Sequence, residues 1–297
     1  MKKRIVCFGE ILWDQLPTGS VPGGAPMNAA IRLCALGLEG IVVSAVGQDS
    51  WGEELLDFIK QRGATTEYIQ RLDDLPTGVV QVSLDSQGAA SYDICHPVAW
   101  DKIPYQSSMD ALIQGADALL FGSLAYRDAV SKATLLKLYD QARFKIFDLN
   151  IRKPHFDLEE TKYFLRTADF IKLNHEELAE LTHMDDTTDQ GIALQIQNLL
   201  EITGEKSILV SRAASGASFY AEGKIVHHPG FQIEVKDTVG AGDSFLAAFL
   251  SKYLCGNSIE EALAYGCAIG SLVASRQGSN PEITPRDIEQ LMKSNPL

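Results

Sequence analysis

Short apolar runs rich in β-branched and aromatic residues recur along the chain at 4–8, 40–46, 118–121, 145–148, 169–172 and 207–210. Each has the length and composition of a buried strand. Between them, apolar positions fall at helical spacing over 28–36, 51–61, 128–142, 158–167, 175–181 and 190–200. Strands alternating with helices predict an α/β fold: a three-layer sandwich with a mainly parallel central sheet covered on both faces.

One region breaks this rhythm. Residues 79–84 and 89–94 have little helical character and are joined by Asp85-Ser-Gln-Gly88, a connection that predicts a β-hairpin. In an α/β chain such a hairpin is a surface flap or part of a small β-sheet lid over the strand ends, where ligands of these folds bind. The C-terminal third predicts helices over 245–254, 259–275 and 286–293, the last following Pro285. No repeat or linker marks a second independent domain.

The chain has 297 residues, 45% of them hydrophobic and 22% charged, which suits a folded globular protein. Its net charge of −13 repels nucleic acid and anionic membrane surfaces, so neither is an expected partner, and a phosphorylated ligand has to meet locally arranged donors. Gly9 and Glu10 interrupt the first apolar run before it reaches the length of a signal sequence, and no later stretch is long enough to span a bilayer. Five scattered cysteines without a C-x-x-C pair predict reduced thiols and a cytoplasmic setting.

Candidate chemistry concentrates at Asp237-Thr-Val-Gly-Ala-Gly-Asp-Ser244, which leads into an apolar helix. The small residues Gly240, Ala241 and Gly242 let backbone N–H groups converge at a helix start and bind an anion. Beside such a site, Asp243 stands where a hydroxyl has to lose its proton before attacking a phosphoryl group. The alternative is that Asp243 or Ser244 caps the helix and the glycines form a turn. No Walker A pattern and no G-x-G-x-x-G follows a strand here, which removes the P-loop and dinucleotide readings. A second segment, Gly23-Gly-Ala-Pro-Met-Asn28, offers an exposed backbone and an Asn to a hydroxyl-rich ligand, or serves as a plain turn before a helix. Asp14 lies just beyond the first strand, either as a site carboxylate or as a solvated loop residue.

With these segments the whole chain resembles the ribokinase-like (PfkB) carbohydrate kinases, and within them the fructokinase branch. Residues 237–245 are similar to that family's C-terminal signature, and 23–28 with Val46-Gly-Gln-Asp-Ser-Trp-Gly52 to its N-terminal one. Asn174-His-Glu-Glu177 is similar to its N-x-x-E element, and also fits a helix capping box. The resemblance implies one kinase domain over 1–297, with a β lid built from segments near 11–20 and 66–100. It implies ATP and Mg²⁺, and transfer of the γ-phosphoryl group to a primary hydroxyl of a sugar, with fructose as the expected acceptor. A sugar acid such as 2-keto-3-deoxygluconate is the runner-up, with Arg152 or Arg127 pairing its carboxylate. A catalytically silent sugar- or nucleotide-binding regulator on the same fold is the rival from another class.

Carried over residue by residue, the resemblance makes Asp243 the base and Gly240, Ala241 and Gly242 the anion hole, with Arg152 binding phosphate in the active site. Asp14, Gly24, Asn28 and Asn150 contact the sugar. Asn174, Glu177, Ser211, Arg212, Gly216, Gly240 and Gly242 form the nucleotide side, with Glu177 reaching Mg²⁺ through water. Asp237 and the Val239 carbonyl, together with carbonyls from 273–278, resemble a K⁺ site. Tyr92, His96 and Trp100 are candidates for touching the sugar ring or for packing. Relatives usually carry a glycine at or near Ala213, where this chain departs from the pattern. A homodimer through the lid is a further expectation, since exposed sheet edges can pair.

Overall fold

A computed structural model describes residues 2–16, 19–84 and 90–294. The chain forms two compact units, one from residues 1–121 and 125–143 and the other from residues 122–124 and 144–297.

In chain order the first unit contains β1 (Arg4–Phe8), β2 (Leu12–Leu16), β3 (Gly19–Gly23), α1 (Ala25–Ala35), β4 (Glu39–Gly47), α2 (Ser50–Gln61), β5 (Ile69–Leu72), β6 (Gly78–Leu84), β7 (Ala90–Ile94), α3 (Ser108–Gln114), β8 (Ala118–Gly122) and α4 (Ala129–Gln141). Parallel strands run in the order β8-β1-β4-β5, with Ile5–Phe8 of β1 fully buried. Continuous apolar runs are what a strand covered on both faces requires. A separate four-stranded sheet has the order β3-β2-β6-β7. In it β2 pairs antiparallel with β3 and parallel with β6, and β6 pairs antiparallel with β7. The predicted hairpin is therefore present, while its connection at 85–88 lies outside the described residues, as does the Tyr92 side chain.

The second unit contains β9 (Lys145–Asp148), α5 (Leu158–Thr167), β10 (Phe170–Asn174), α6 (His175–Thr182), α7 (Asp189–Thr203), β11 (Ser207–Ser211), β12 (Ala217–Ala221), β13 (Lys224–His228), α8 (Ala241–Tyr253), α9 (Ile259–Ala274) and α10 (Pro285–Ser294). Strands β9, β10 and β11 are parallel, and β12 and β13 continue from β11 as antiparallel strands. Phe170, Phe219, Phe249 and Tyr253 form one aromatic cluster with ring centroids 5.0–5.9 Å apart, which fastens α8 to β10 and β12. Helix starts follow the sequence cues: Asp49, Asp128, Asp157, Thr188 and Ser258 each accept a first-turn N–H. Among the described residues no helix is long and apolar enough to cross a membrane.

Three features depart from the sequence expectation. Helix α8 begins at Ala241, four residues before the apolar stretch, because its first turn is made of small and polar residues. The short elements α3 and β5 carry too few apolar positions to register as periodic. The β12–β13 hairpin has mixed burial on β13 and shows no clean alternation.

Candidate active site

The turn before α8 is built on a glycine that nothing else can replace. Gly240 takes the left-handed conformation (φ 71°), and a Cβ there would lie 2.6 Å from the Ser279 carbonyl oxygen. The Ala241 N–H returns to the Thr238 carbonyl at 3.2 Å, and no side chain caps the helix. Asp243 and Ser244 lie inside the helix rather than at its cap, so the capping alternative does not describe them. The first-turn amides and the helix dipole therefore form an anion-binding end, with the half-buried Asp243 carboxylate in its first turn.

Beneath this turn lies Lys172, which no motif in the sequence singles out. It stands on β10, only 6% exposed, and its ammonium is 3.7 Å from where a Cβ on Gly242 would be. It donates to Asp148 Oδ1 at 2.9 Å, and Asp148 is itself buried. Burial alone would drive the Lys172 ammonium toward its neutral form. Asp148, Glu177 and Asp243 outweigh it and hold its pKa above the ordinary lysine value. A positive charge thus stands under the anion-binding turn, within the field of Asp243.

Asn174 and Glu177 make the capping box at the start of α6. Asn174 Oδ1 accepts the Glu177 N–H, and Glu177 Oε2 accepts the Asn174 N–H, both at 2.8 Å. Glu177 Oε1 accepts the Ile151 N–H at 2.7 Å, tying this box to the loop after β9. Burial pushes the Glu177 carboxyl up, against Lys172 and the two amides. In that loop Asn150 has a left-handed backbone (φ 41°), and its carbonyl accepts the Ser123 hydroxyl at 2.9 Å. Arg152 is exposed and donates to the neighbouring Ile151 carbonyl.

A cavity of about 490 Å³ opens beside these residues, lined among others by Asn174, Ser211, Gly216, Gly242, Phe231 and Val235. Its size and apolar walls suit a flat heterocycle, with the polar end of α8 at its edge. Arg212 does not line it. That guanidinium is buried and donates to Asp189, the Ser218 hydroxyl and the Thr187 carbonyl. The loop at 211–216 shows why a glycine would suit this position: Ala213 holds a left-handed φ of 48°. An L-residue there costs about 1–2 kcal/mol, and glycine loses about 0.5–1 kcal/mol more on ordering. Ala213→Gly is therefore expected to stabilise the fold by up to about 1 kcal/mol, read as a small rise in urea midpoint at unchanged slope.

The first unit holds three of the predicted sugar contacts, and the fourth, Asn150, lies in the second unit. Asp14 is on β2, with its carboxylate over Gly23, where a Cβ would meet Asp14 Oδ2 at 2.3 Å. Gly24 precedes α1 with φ 114°, and a Cβ there would lie 2.4 Å from the Glu10 carbonyl. Asn28 lies in the first turn of α1 and is buried, with its backbone N–H on the Gly24 carbonyl. Arg127, by contrast, is used up internally. Its guanidinium pairs twice with buried Asp101, donates to the Ile94 and Cys95 carbonyls and stacks 3.9 Å over the Trp100 ring. This leaves no donor edge for a substrate carboxylate and assigns Trp100 to packing. His96, 42% exposed at its side chain, lies near Asp128.

Residues 3–285 match the model of the pfkB family carbohydrate kinases. The chain belongs to this family. Among carbohydrate kinases it is 29% identical to fructokinase-2 of Solanum lycopersicum, over 94% of this chain and 92% of the relative. It is 28% identical to a fructokinase of Solanum tuberosum, over 97% and 94%. A solved structure of fructokinase with bound ATP from Xylella fastidiosa is 26% identical and superposes with a TM-score of 0.83, over 99% of each chain. As a carbohydrate kinase the protein is a phosphotransferase acting on a sugar hydroxyl, and the three segments similar to family signatures open helices here, α1, α2 and α8.

Proposed function

We propose that this kinase transfers the γ-phosphoryl group of ATP to the primary hydroxyl of fructose, giving fructose 6-phosphate. The observation that carries the chemistry is Asp243 in the first turn of an uncapped helix, within the field of buried Lys172. Fructose is supported by the relatives named fructokinase and by the ATP-bound fructokinase structure.

In this mechanism Asp14, Gly24, Asn28 and Asn150 hold the sugar hydroxyls. Asp243 takes the proton from the attacking hydroxyl, and the Gly240, Gly242 and Asp243 amides face the charge on the transferring group, the Ala241 N–H being held by the Thr238 carbonyl. Lys172 adds positive charge beneath that turn and Arg152 binds phosphate. Asn174, Ser211 and Gly216 line the nucleotide cavity; Arg212 braces its loop through Asp189. Mg²⁺ bound with the nucleotide would supply positive charge to the leaving diphosphate. Glu177 fits a role through water, since each of its oxygens already accepts one amide and keeps a lone pair for a water.

A monovalent cation would have few free ligands here. The Val273 carbonyl accepts the Arg276 N–H, and the Ala274 carbonyl accepts two amides. K⁺ would therefore draw on the Val239 carbonyl, on Asp237, which already accepts the Val239 and Gly278 amides, and on carbonyls of 275–278. The sheet β3-β2-β6-β7 is the proposed lid, which excludes water, and its edge strands are the proposed dimer contact. The five unpaired cysteines support a reducing, cytoplasmic setting.

The expected result of an ADP-release assay over fructose, ribose, tagatose, 2-keto-3-deoxygluconate and adenosine is preferential turnover of fructose. Preference for the sugar acid would point to Arg152, because Arg127 is committed to Asp101. No turnover with any acceptor would favour a regulator, and equal rates in potassium and lithium would remove the cation.

A further inference from the structure

The segment Val46-Gly-Gln-Asp-Ser-Trp-Gly52 has no part in the chemistry above, yet it carries a polar junction that joins three elements of the first unit. Asp49 caps α2 by accepting the Gly52 N–H at 2.8 Å. The same carboxylate accepts both donors of Thr77, the backbone N–H at Oδ2 (2.8 Å) and the hydroxyl at Oδ1 (2.6 Å). The Thr77 hydroxyl in turn accepts the Gly47 N–H at the end of β4, at 2.9 Å. Thr77 is 3% exposed and immediately precedes β6. One carboxylate and one hydroxyl thus join the end of β4, the start of α2 and the start of β6.

The junction continues one strand further. Trp51, two residues after Asp49, accepts the Trp13 indole N–H on its carbonyl at 3.0 Å, and the two rings meet edge to face with centroids 5.1 Å apart. Trp13 and Asp14 lie on β2, opposite Val79 and Val80 of β6. Strand register is all-or-none for which face a side chain takes. Fixing β6 at Thr77 and β2 at Trp13 therefore fixes where Asp14 points. Burial alone would raise the Asp49 carboxyl; the hydrogen bonds from Thr77 and Gly52 outweigh it and hold it below the ordinary aspartate range, as expected of a charged acceptor built into the fold.

We propose that Asp49 and Thr77 are positioning residues for sugar recognition, acting through β6 and β2 to hold Asp14 in place. This rests on the assignment of Asp14 to the sugar. A structural brace alone would lower stability and active fraction without changing which substrate is bound weakly. A positioning role separates the two substrates.

The test is the KM for fructose and for ATP, measured separately, with thermal unfolding, in Thr77→Val, Thr77→Ser and Asp14→Asn. Losing a hydrogen bond to a charged, half-buried carboxylate is expected to raise the fructose KM about tenfold or more in Thr77→Val, with the ATP KM within about twofold. Thr77→Ser, which keeps the hydroxyl, is expected to restore it. If Thr77→Val does not fold, Asp49→Asn, which keeps an acceptor for Gly52, carries the same expectation. An unchanged fructose KM in the folded variant, or a rise shared equally with ATP, overturns the proposal while Asp14→Asn still weakens fructose. An unchanged fructose KM in Asp14→Asn overturns the assignment of Asp14 itself, and the clamp's purpose with it.

Discussion

Asp243→Asn is expected to lower kcat by about 10²–10⁴-fold, the range a positioned general base contributes. The substitution is nearly isosteric, and no side chain caps helix α8, so the helix loses no capping bond at its start. Fructose binding, proposed to rest on Asp14, Gly24, Asn28 and Asn150, is expected to persist. Coupled ADP release gives the rate, and calorimetric titration of fructose gives the affinity. A variant retaining more than about a tenth of the rate would remove Asp243 as the base, because that loss is smaller than proton transfer supplies.

Lys172→Met is expected to have the largest effect on stability. It leaves Asp148 and Glu177, 5% and 6% exposed, without the cation that compensates their burial. Removing one partner of a buried pair costs about 3–5 kcal/mol, a large share of a typical folding free energy of about 5–15 kcal/mol. The urea midpoint is expected to fall accordingly. Combining Lys172→Met with Asp148→Asn is expected to recover much of the loss, since the second change removes one stranded charge. A single-variant cost below about 1 kcal/mol would show that Lys172 carries no such charge balance. Activity in Lys172→Met is expected to fall further than the folded fraction, because the charge under Gly242 goes with the side chain.

The signature glycines are legible in the sequence because what they do is local. Gly240 and Gly24 each take a positive φ in the turn that opens a helix, and both the turn and the following helix are written in adjacent residues, whereas the Ser279 and Glu10 carbonyls that crowd them are not. The same holds for the Asn174–Glu177 capping box, whose two bonds span three residues. The parallel strands are legible as apolar runs, and the β6–β7 hairpin as a break in the alternation.

Long polar side chains are not legible in this way. Arg127 and Arg212 have the chemistry of ligand-binding guanidinia, and both are committed to aspartates 26 and 23 residues away in sequence. Lys172 is an ordinary strand lysine in the sequence; the parallel pairing of β9 with β10 sets it beside Asp148. Thr77 and Asp49 lie 28 residues apart, and only the placement of β6 links them.

By itself, the sequence determined the α/β class, the two glycine-led helix starts, the family and Asp243 as the candidate carboxylate beside the second of those starts, because these depend on backbone geometry and on spacing over a few residues; that Asp243 lies inside the first turn of α8 came from the structure. Only the tertiary structure decided which charges stand free and which are consumed. A charge is neutralised by whatever the fold brings within about 3–4 Å, and chain order does not contain that distance.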